Sequence, residues 1–255
     1  ARWRRFFLAI PLAGILAIPA APSVSPASAE TLEILAVDWP PYEFETPENG
    51  LRGFDVEVVE AAFERVGRKA TVRFLPWKRA KKMVAVGEAA GLLTCSFRPD
   101  REEFFAYTSP ISGASRGFYT SAEFKGPDLS DFTDARGYNV GVVLGYSTEA
   151  KMKELGIPHD VSTSDEAALM KLNTGRIDMF LTVRENTDYL GRDLRFIDKL
   201  RFHLIRRVDF YLCISRKWPG YRLLVEDFNR GLRLIRDDGL YARIHSRYKA
   251  AGGSS

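Results

Sequence analysis

A chain of 255 residues with 45% hydrophobic and 27% charged side chains has an ordinary globular composition and is long enough for one large or two small domains. Its formal charge of +4 rests largely on Arg2, Arg4 and Arg5; without them 34 basic residues face 33 acidic ones. That balance gives no reason to expect a nucleic-acid or membrane-surface partner, and the basic run Lys78-Arg79-Ala80-Lys81-Lys82 reads as a solvated helix face.

Residues 1–29 have the layout of a secretory signal peptide. The three arginines precede an uncharged apolar stretch from Phe6 to Ala21, interrupted by Pro11 and shorter than the roughly 20 residues of a bilayer span. Pro19, Pro22 and Pro26 follow, then Ala27-Ser28-Ala29, a small-x-small cleavage site. The expectation is removal of this segment and export of a soluble body, the other reading being an uncleaved anchor helix. No Cys follows the apolar stretch to carry a lipid, and no second apolar run of spanning length appears after Glu30.

The body alternates short apolar strands with amphipathic helices, which predicts an α/β fold with mostly parallel sheets. Leu32 to Val37 is the first strand, ended by the turn Asp38-Trp39-Pro40-Pro41-Tyr42. Asp55 is expected to cap a helix with apolar Val56, Val59, Phe63 and Val66 at 3–4 spacing, stopped at Gly67. Thr71 to Leu75 is a strand, a helix runs from about Trp77 to Gly87, Leu92-Leu93-Thr94 is a third strand, and Pro99 opens a short helix carrying Arg101. The pattern restarts with a strand from Asn139 to Leu144 and a helix opening at Ser147. Thr163-Ser164-Asp165-Glu166 has capping-box spacing ahead of a helix that ends at Gly175. Ile177 to Thr182 and Phe210 to Ser215 are strands, and Tyr221, Leu224, Phe228, Leu232 and Ile235 mark a long helix broken at Asp238-Gly239.

Cys95 and Cys213 lie in short apolar runs, so two buried thiols are the expectation; export permits a disulfide without requiring one. His159, His203 and His245 stand far apart with no metal-ligand spacing, and no cofactor motif or nucleophile triad is present. No metal and no cofactor are expected.

Several short motifs occur in one order: Trp39 to Tyr42, Gly53-Phe54-Asp55-Val56-Glu57, Trp77, a Thr/Ser strand end leading into Pro99-Asp100-Arg101, and Tyr107-Thr108-Ser109-Pro110. Val140-Gly141-Val142 with Gly145-Tyr146-Ser147, and Gly175-Arg176-Ile177-Asp178, follow. In that order the chain resembles, from Leu32 to Tyr248, the solute-binding proteins of family 3, the periplasmic binding proteins for polar amino acids in ABC transport. The resemblance implies a type II periplasmic-binding-protein-like (Venus-flytrap) fold of two α/β lobes joined by two crossover strands. Lobe 1 would be residues 31–115 plus 211–250 and lobe 2 residues 116–210, hinged near Gly113 to Gly117 and Leu204 to Asp209. It implies a periplasmic monomer that delivers a small-molecule ligand to an ABC transporter permease and is not an enzyme. Cys95 would then end a lobe 1 strand close to the strand carrying Cys213, near enough to bond.

By the same resemblance Arg101 holds the position of the arginine that grips a ligand carboxylate, which a guanidinium matches with paired donors. Thr94 and Ser96 fall where small hydroxyl residues surround that carboxylate. Trp39 and Trp77 occupy two aromatic cleft positions and would sandwich the ligand's middle. Ser147, opening a helix after a strand, would meet an anion or simply cap the helix. Asp55 and Asp178 read as structural, and Arg79 as a solvated helix residue.

Two departures stand out. The Asp that pairs with a ligand ammonium in the amino-acid binders is replaced by Val183, and the usual Gly-x-x-Asp after the second helix is Gly87-Glu88-Ala89-Ala90. A buried ammonium needs an anionic partner. The expected ligand is therefore a carboxylate without a free α-ammonium, such as an organic acid or modified amino acid, with Arg184 a second anion contact and Glu185 or Asp188 the only substitutes for the lost acid. The alternative function is a periplasmic dehydratase-type enzyme on the same fold, for which Glu185 is the one acid to nominate. A receptor sensor lobe is disfavoured because no transmembrane or cytoplasmic segment follows.

Overall fold

The computed structural model describes residues 31–252 apart from 193 and 195, so the expected signal segment, 1–29, lies outside the described residues. Strand β1 (Leu32–Ala36) runs between and parallel to β2 (Ala70–Phe74) and β3 (Gly91–Ser96), with helices α1 (Phe54–Glu64) and α2 (Trp77–Val86) as the crossovers. The arrangement recurs further along. β5 (Val140–Val143) lies parallel between β6 (His159–Ser162) and β7 (Met179–Val183), linked by α3 (Ser147–Glu154) and α4 (Asp165–Asn173).

Two long antiparallel strands, β4 (Phe105–Ser121) and β8 (Leu200–Ser215), connect the halves. Residues 210–214 of β8 extend the first half by pairing with β3, and residues 116–120 of β4 extend the second by pairing with β7. The sheet order is β2-β1-β3-β8-β4-β7-β5-β6. The result is two α/β lobes joined by two crossing strands, as the sequence reading expects. Helix α5 (Arg184–Gly191) follows β7, and α6 (Tyr221–Asp237) and α7 (Leu240–Gly252) return to pack on α1. Leu224, Phe228, Leu232 and Ile235 put the buried stripe of α6 at 3–4 spacing.

Each lobe buries apolar side chains on both faces of its sheet, the usual consequence of parallel strands flanked by helices. In the first lobe Ile34, Val59, Phe63 and Phe228 fill one side, and Leu35, Val84, Leu92 and Phe105 the other. In the second, Phe118, Val142 and Leu181 oppose Val143, Leu169 and Phe180.

The sequence places no strand at β4 and only the last part of β8. Pro110 and Gly113 weaken the strand signal in β4, and Pro110 falls where the pairing register shifts. The early part of β8 exposes Arg201, Arg206 and Arg207. Asp55 does not cap α1: Gly53 is the N-cap, and the buried Asp55 carboxyl accepts from Thr94 Oγ1 at 2.8 Å and Ser112 Oγ at 3.0 Å. For α4 the cap is Ser164, whose Oγ accepts from the Ala167 N–H at 3.2 Å, in place of the expected box. Asp178 does fix a strand end, accepting from the Asn139 N–H at 2.7 Å.

The two cysteines are buried, as expected, but they are bonded to each other and are not free thiols. Their Cα atoms lie 6.0 Å apart, tying β3 to the returning strand β8.

Candidate functional site

The C-terminal ends of the parallel strands from both lobes meet at one cleft, the place where open α/β sheets bind ligands. Beyond β1 come Val37 and Trp39, and β3 supplies Thr94 and Ser96. From the second lobe, the turn after β5 supplies Tyr146, Ser147 and Thr148, and β7 ends in Thr182 and Val183. Trp77, Arg116 and Phe210 complete the lining.

Aromatic rings form the walls. Trp39 stacks on Tyr42 at 4.6 Å and meets Phe210 edge-on at 5.4 Å. Tyr146, from the second lobe, stands edge-on to both Trp39 and Trp77 at 6.3 Å, between the two rings singled out in the sequence. Trp77 also crosses the cleft, its indole N–H donating to Gly145 O at 3.1 Å. Asn186 Nδ2 donates to Pro40 O at 2.6 Å, and Tyr189 reaches Glu48 and packs on Phe44 at 5.4 Å. The lobes are thus in contact around the cleft.

Thr94 is held at φ 48°, a strained conformation for a β-branched residue that costs on the order of 1–3 kcal/mol and is found chiefly where surrounding contacts over-determine it. The Asp55 carboxyl supplies that constraint through the Thr94 hydroxyl.

Two arginines mark the site. Arg101 is buried just behind the lining; its Nη1 donates to Ser96 O at 3.3 Å and its guanidinium lies 5.6 Å from the Trp77 ring centre. Arg116 lines the cleft itself and is only 6% exposed. Its Nη2 donates to Ser147 Oγ at 3.0 Å, and its Nε has no hydrogen-bond partner among the described residues. Burial lowers the pKa of both; that of Arg116 falls to about 10, helped by Arg206, Arg101 and Arg98. Sequence reasoning missed Arg116 because it belongs to no motif and lies on the unrecognised strand. The available signal was that it is the single charge between Glu103 and Glu123.

Ser147 is the first residue of α3 and not its cap, which is Tyr146, so its hydroxyl is used on Arg116. Arg184 is not among the lining residues: it is exposed, ion-paired with Asp188 at 3.0 Å and placed over the Phe202 ring at 5.6 Å. The candidate substitute acids are engaged too. Both oxygens of Glu185 accept from the Ser115 N–H, at 2.9 and 3.0 Å, and Asp188 accepts from Tyr119.

Four buried acids lie near the cleft: Glu149, which accepts from the Gly145 N–H and from Lys153, and Glu43, Asp55 and Asp165, whose pKa values burial raises. Glu43 accepts from the Val37 N–H at 2.9 Å and Asp165 from Thr182 Oγ1 at 3.1 Å. Burial raises Glu43 to about 8 and Asp55 and Asp165 each to about 7. An acid whose folded pKa is raised holds its proton longer in the native state, so its stabilising effect is complete below the unfolded pKa and is lost as pH rises through the folded one. The melting temperature of the protein should therefore fall between about pH 5 and pH 8. Asp55→Asn keeps an acceptor for Thr94 and Ser112 and should flatten that decline. Melting curves across the range check this, and stability that climbs with pH would contradict it.

The comparisons with known proteins agree with this architecture. Residues 34–251 match the profile of the bacterial extracellular solute-binding proteins, family 3. The chain therefore belongs to that family. Over 155 residues it is 30% identical to the probable amino-acid-binding protein YxeM of Bacillus subtilis (strain 168), covering 56% of either chain, so it spans about half the length of that curated relative. Among solved structures it is similar to a histidine kinase sensor domain with similarity to periplasmic binding proteins. That match has a TM-score of 0.76 and 22% identity and covers 86% of this chain and 96% of the other. It is also similar to the ancestral amino acid-binding protein AncCDT-1, a precursor of cyclohexadienyl dehydratase, at TM-score 0.69 and 19% identity over 86% and 94% of the two chains. At these identities the structural likenesses speak for the fold.

Proposed function

We propose that this protein is an extracytoplasmic receptor that captures a small carboxylate-bearing solute between its lobes and hands it to an ABC importer. The observation that carries the reading is a buried guanidinium, Arg116, on the lining of an aromatic-walled cleft with a second, Arg101, just behind it, neither of them ion-paired with a carboxylate among the described residues. The lobes divide as 31–115 plus 211–250 and 116–210. Arg101 with Thr94 and Ser96 takes the carboxylate, while Trp39 and Trp77 enclose the carbon skeleton. Val183 offers no counter-charge to an ammonium, so an organic acid or a modified amino acid fits better than a free α-amino acid. The N-terminal segment directs export to the periplasm, and the protein acts as a monomer.

Binding without chemistry is the better reading because Glu185, the acid nominated for a dehydratase, is spent on the Ser115 backbone. Calorimetry with paired acids and primary amides tests the proposal, since an amide keeps the shape and loses the charge. An acid should bind at least about tenfold more tightly than its amide, a difference of roughly 1.4 kcal/mol. Equal binding of the pair, or none by any acid, would overturn it.

A further inference from the structure

The charge balance of the cleft is not closed by one carboxylate. Arg116 is nearly fully buried, its Nε has no partner among the described residues, and it repels Arg101, which feels Asp100 but makes no salt bridge among the described residues. Buried cations left without counter-ions are strongly unfavourable, so both charges call for anions brought by the ligand. The neighbouring protein acids do not answer that need: Asp165 is occupied by Thr182, and Glu185 and Asp188 point to other partners. A zwitterionic amino acid brings no net charge, a monocarboxylate brings one, and only a molecule with two acid groups matches both guanidiniums.

We propose that the ligand is a small dicarboxylate without an ammonium group and that Arg116 anchors its second acid group, an inference that rests on the carboxylate-receptor reading above. Arg116 stands on crossing strand β4 and touches Ser147 at the start of α3 in the second lobe. An acid group held between Arg116 and Ser147 therefore links ligand length to lobe closure, and chain length between the two carboxylates becomes a specificity determinant.

The test is calorimetry at neutral pH with succinate, glutarate, butyrate, glutamate and glutamine on the wild type and on Arg116→Met. One of the two dicarboxylates should bind at least about tenfold more tightly than butyrate or either amino acid. Arg116→Met should weaken it roughly 30-fold or more and weaken butyrate, which has no second acid group, at least about tenfold less, and should raise the melting temperature of the ligand-free protein by removing an uncompensated buried cation. If the Met variant does not fold, Arg116→Lys, which keeps the charge but not the fork, should show an intermediate loss for the dicarboxylate alone. Butyrate or an amino acid binding as tightly as the dicarboxylates, or a dicarboxylate indifferent to either variant, overturns this inference and leaves the carboxylate receptor standing. Binding of none of the five overturns both.

Discussion

Replacing Arg101 with Ala is expected to weaken ligand binding by about 2–5 kcal/mol, roughly 30-fold to several thousand-fold, while the protein still folds. The magnitude follows from the burial of the guanidinium: the ligand carboxylate would face an apolar gap where paired donors had stood. Folding should survive because, among the described residues, Arg101 leaves no ion-pair partner stranded and its guanidinium's one hydrogen bond goes to the Ser96 carbonyl. Arg101→Lys should fall between the two, keeping the charge and losing the planar fork. Calorimetry of the best-binding acid on the three proteins, with melting curves as the folding control, gives the comparison. Near-native affinity in the Ala variant would remove Arg101 from the site.

Removing the Cys95–Cys213 bond should produce the largest change in stability. The bond joins residues 118 apart and closes a loop that contains the whole second lobe. Opening such a loop restores chain entropy to the unfolded state, and removal of a native disulfide of this kind costs about 2–5 kcal/mol. For a protein of this size that lowers the melting temperature by on the order of 10 °C. A Cys95→Ala/Cys213→Ala double variant, which fills the same buried space with small apolar groups, measures it. Alkylation without reductant provides the covalent check: unlabelled cysteines are expected, and two labelled thiols would contradict the pairing.

What was legible in the sequence follows from the strength of local signals. The parallel strands are short apolar runs stopped by Pro or Gly, and α6 shows its buried stripe in five residues, so these elements and the restart of the α/β pattern can be read directly, while the two-lobed order follows from the family resemblance. The crossing strands could not. Their side chains alternate between the two lobes' surroundings and include Pro110, Gly113, Gly117 and several exposed arginines, so neither period-2 patterning nor composition marks them.

The site divides the same way. Trp39, Trp77, Thr94, Ser96 and Ser147 sit at strand ends and helix starts, where motifs are readable, and all five line the cleft. Arg116 was hidden because a central strand residue is brought to the cleft only by pairing between β4 and β8. Arg184, next to Val183 in sequence, sits on the first turn of α5 and pairs with Asp188 outside the cleft lining. In the sequence Asp55 reads as a cap because Asp so often plays that part. Its actual partners, Thr94 and Ser112, are distant in sequence.

We propose a two-lobed receptor that closes over a small acid. Contacts from Trp77 to Gly145 and from Asn186 to Pro40 cross the cleft, and on this proposal β4 and β8 near 113–117 and 204–209 would act as the hinge between a closed and a more open form. Ligand binding both lobes should select that form from a more open ligand-free population. Small-angle scattering of the protein with and without its tightest-binding acid measures this most directly. The radius of gyration should fall on saturation in the wild type and stay at the ligand-free value in Arg101→Ala; an unchanged radius for the saturated wild type would contradict the account.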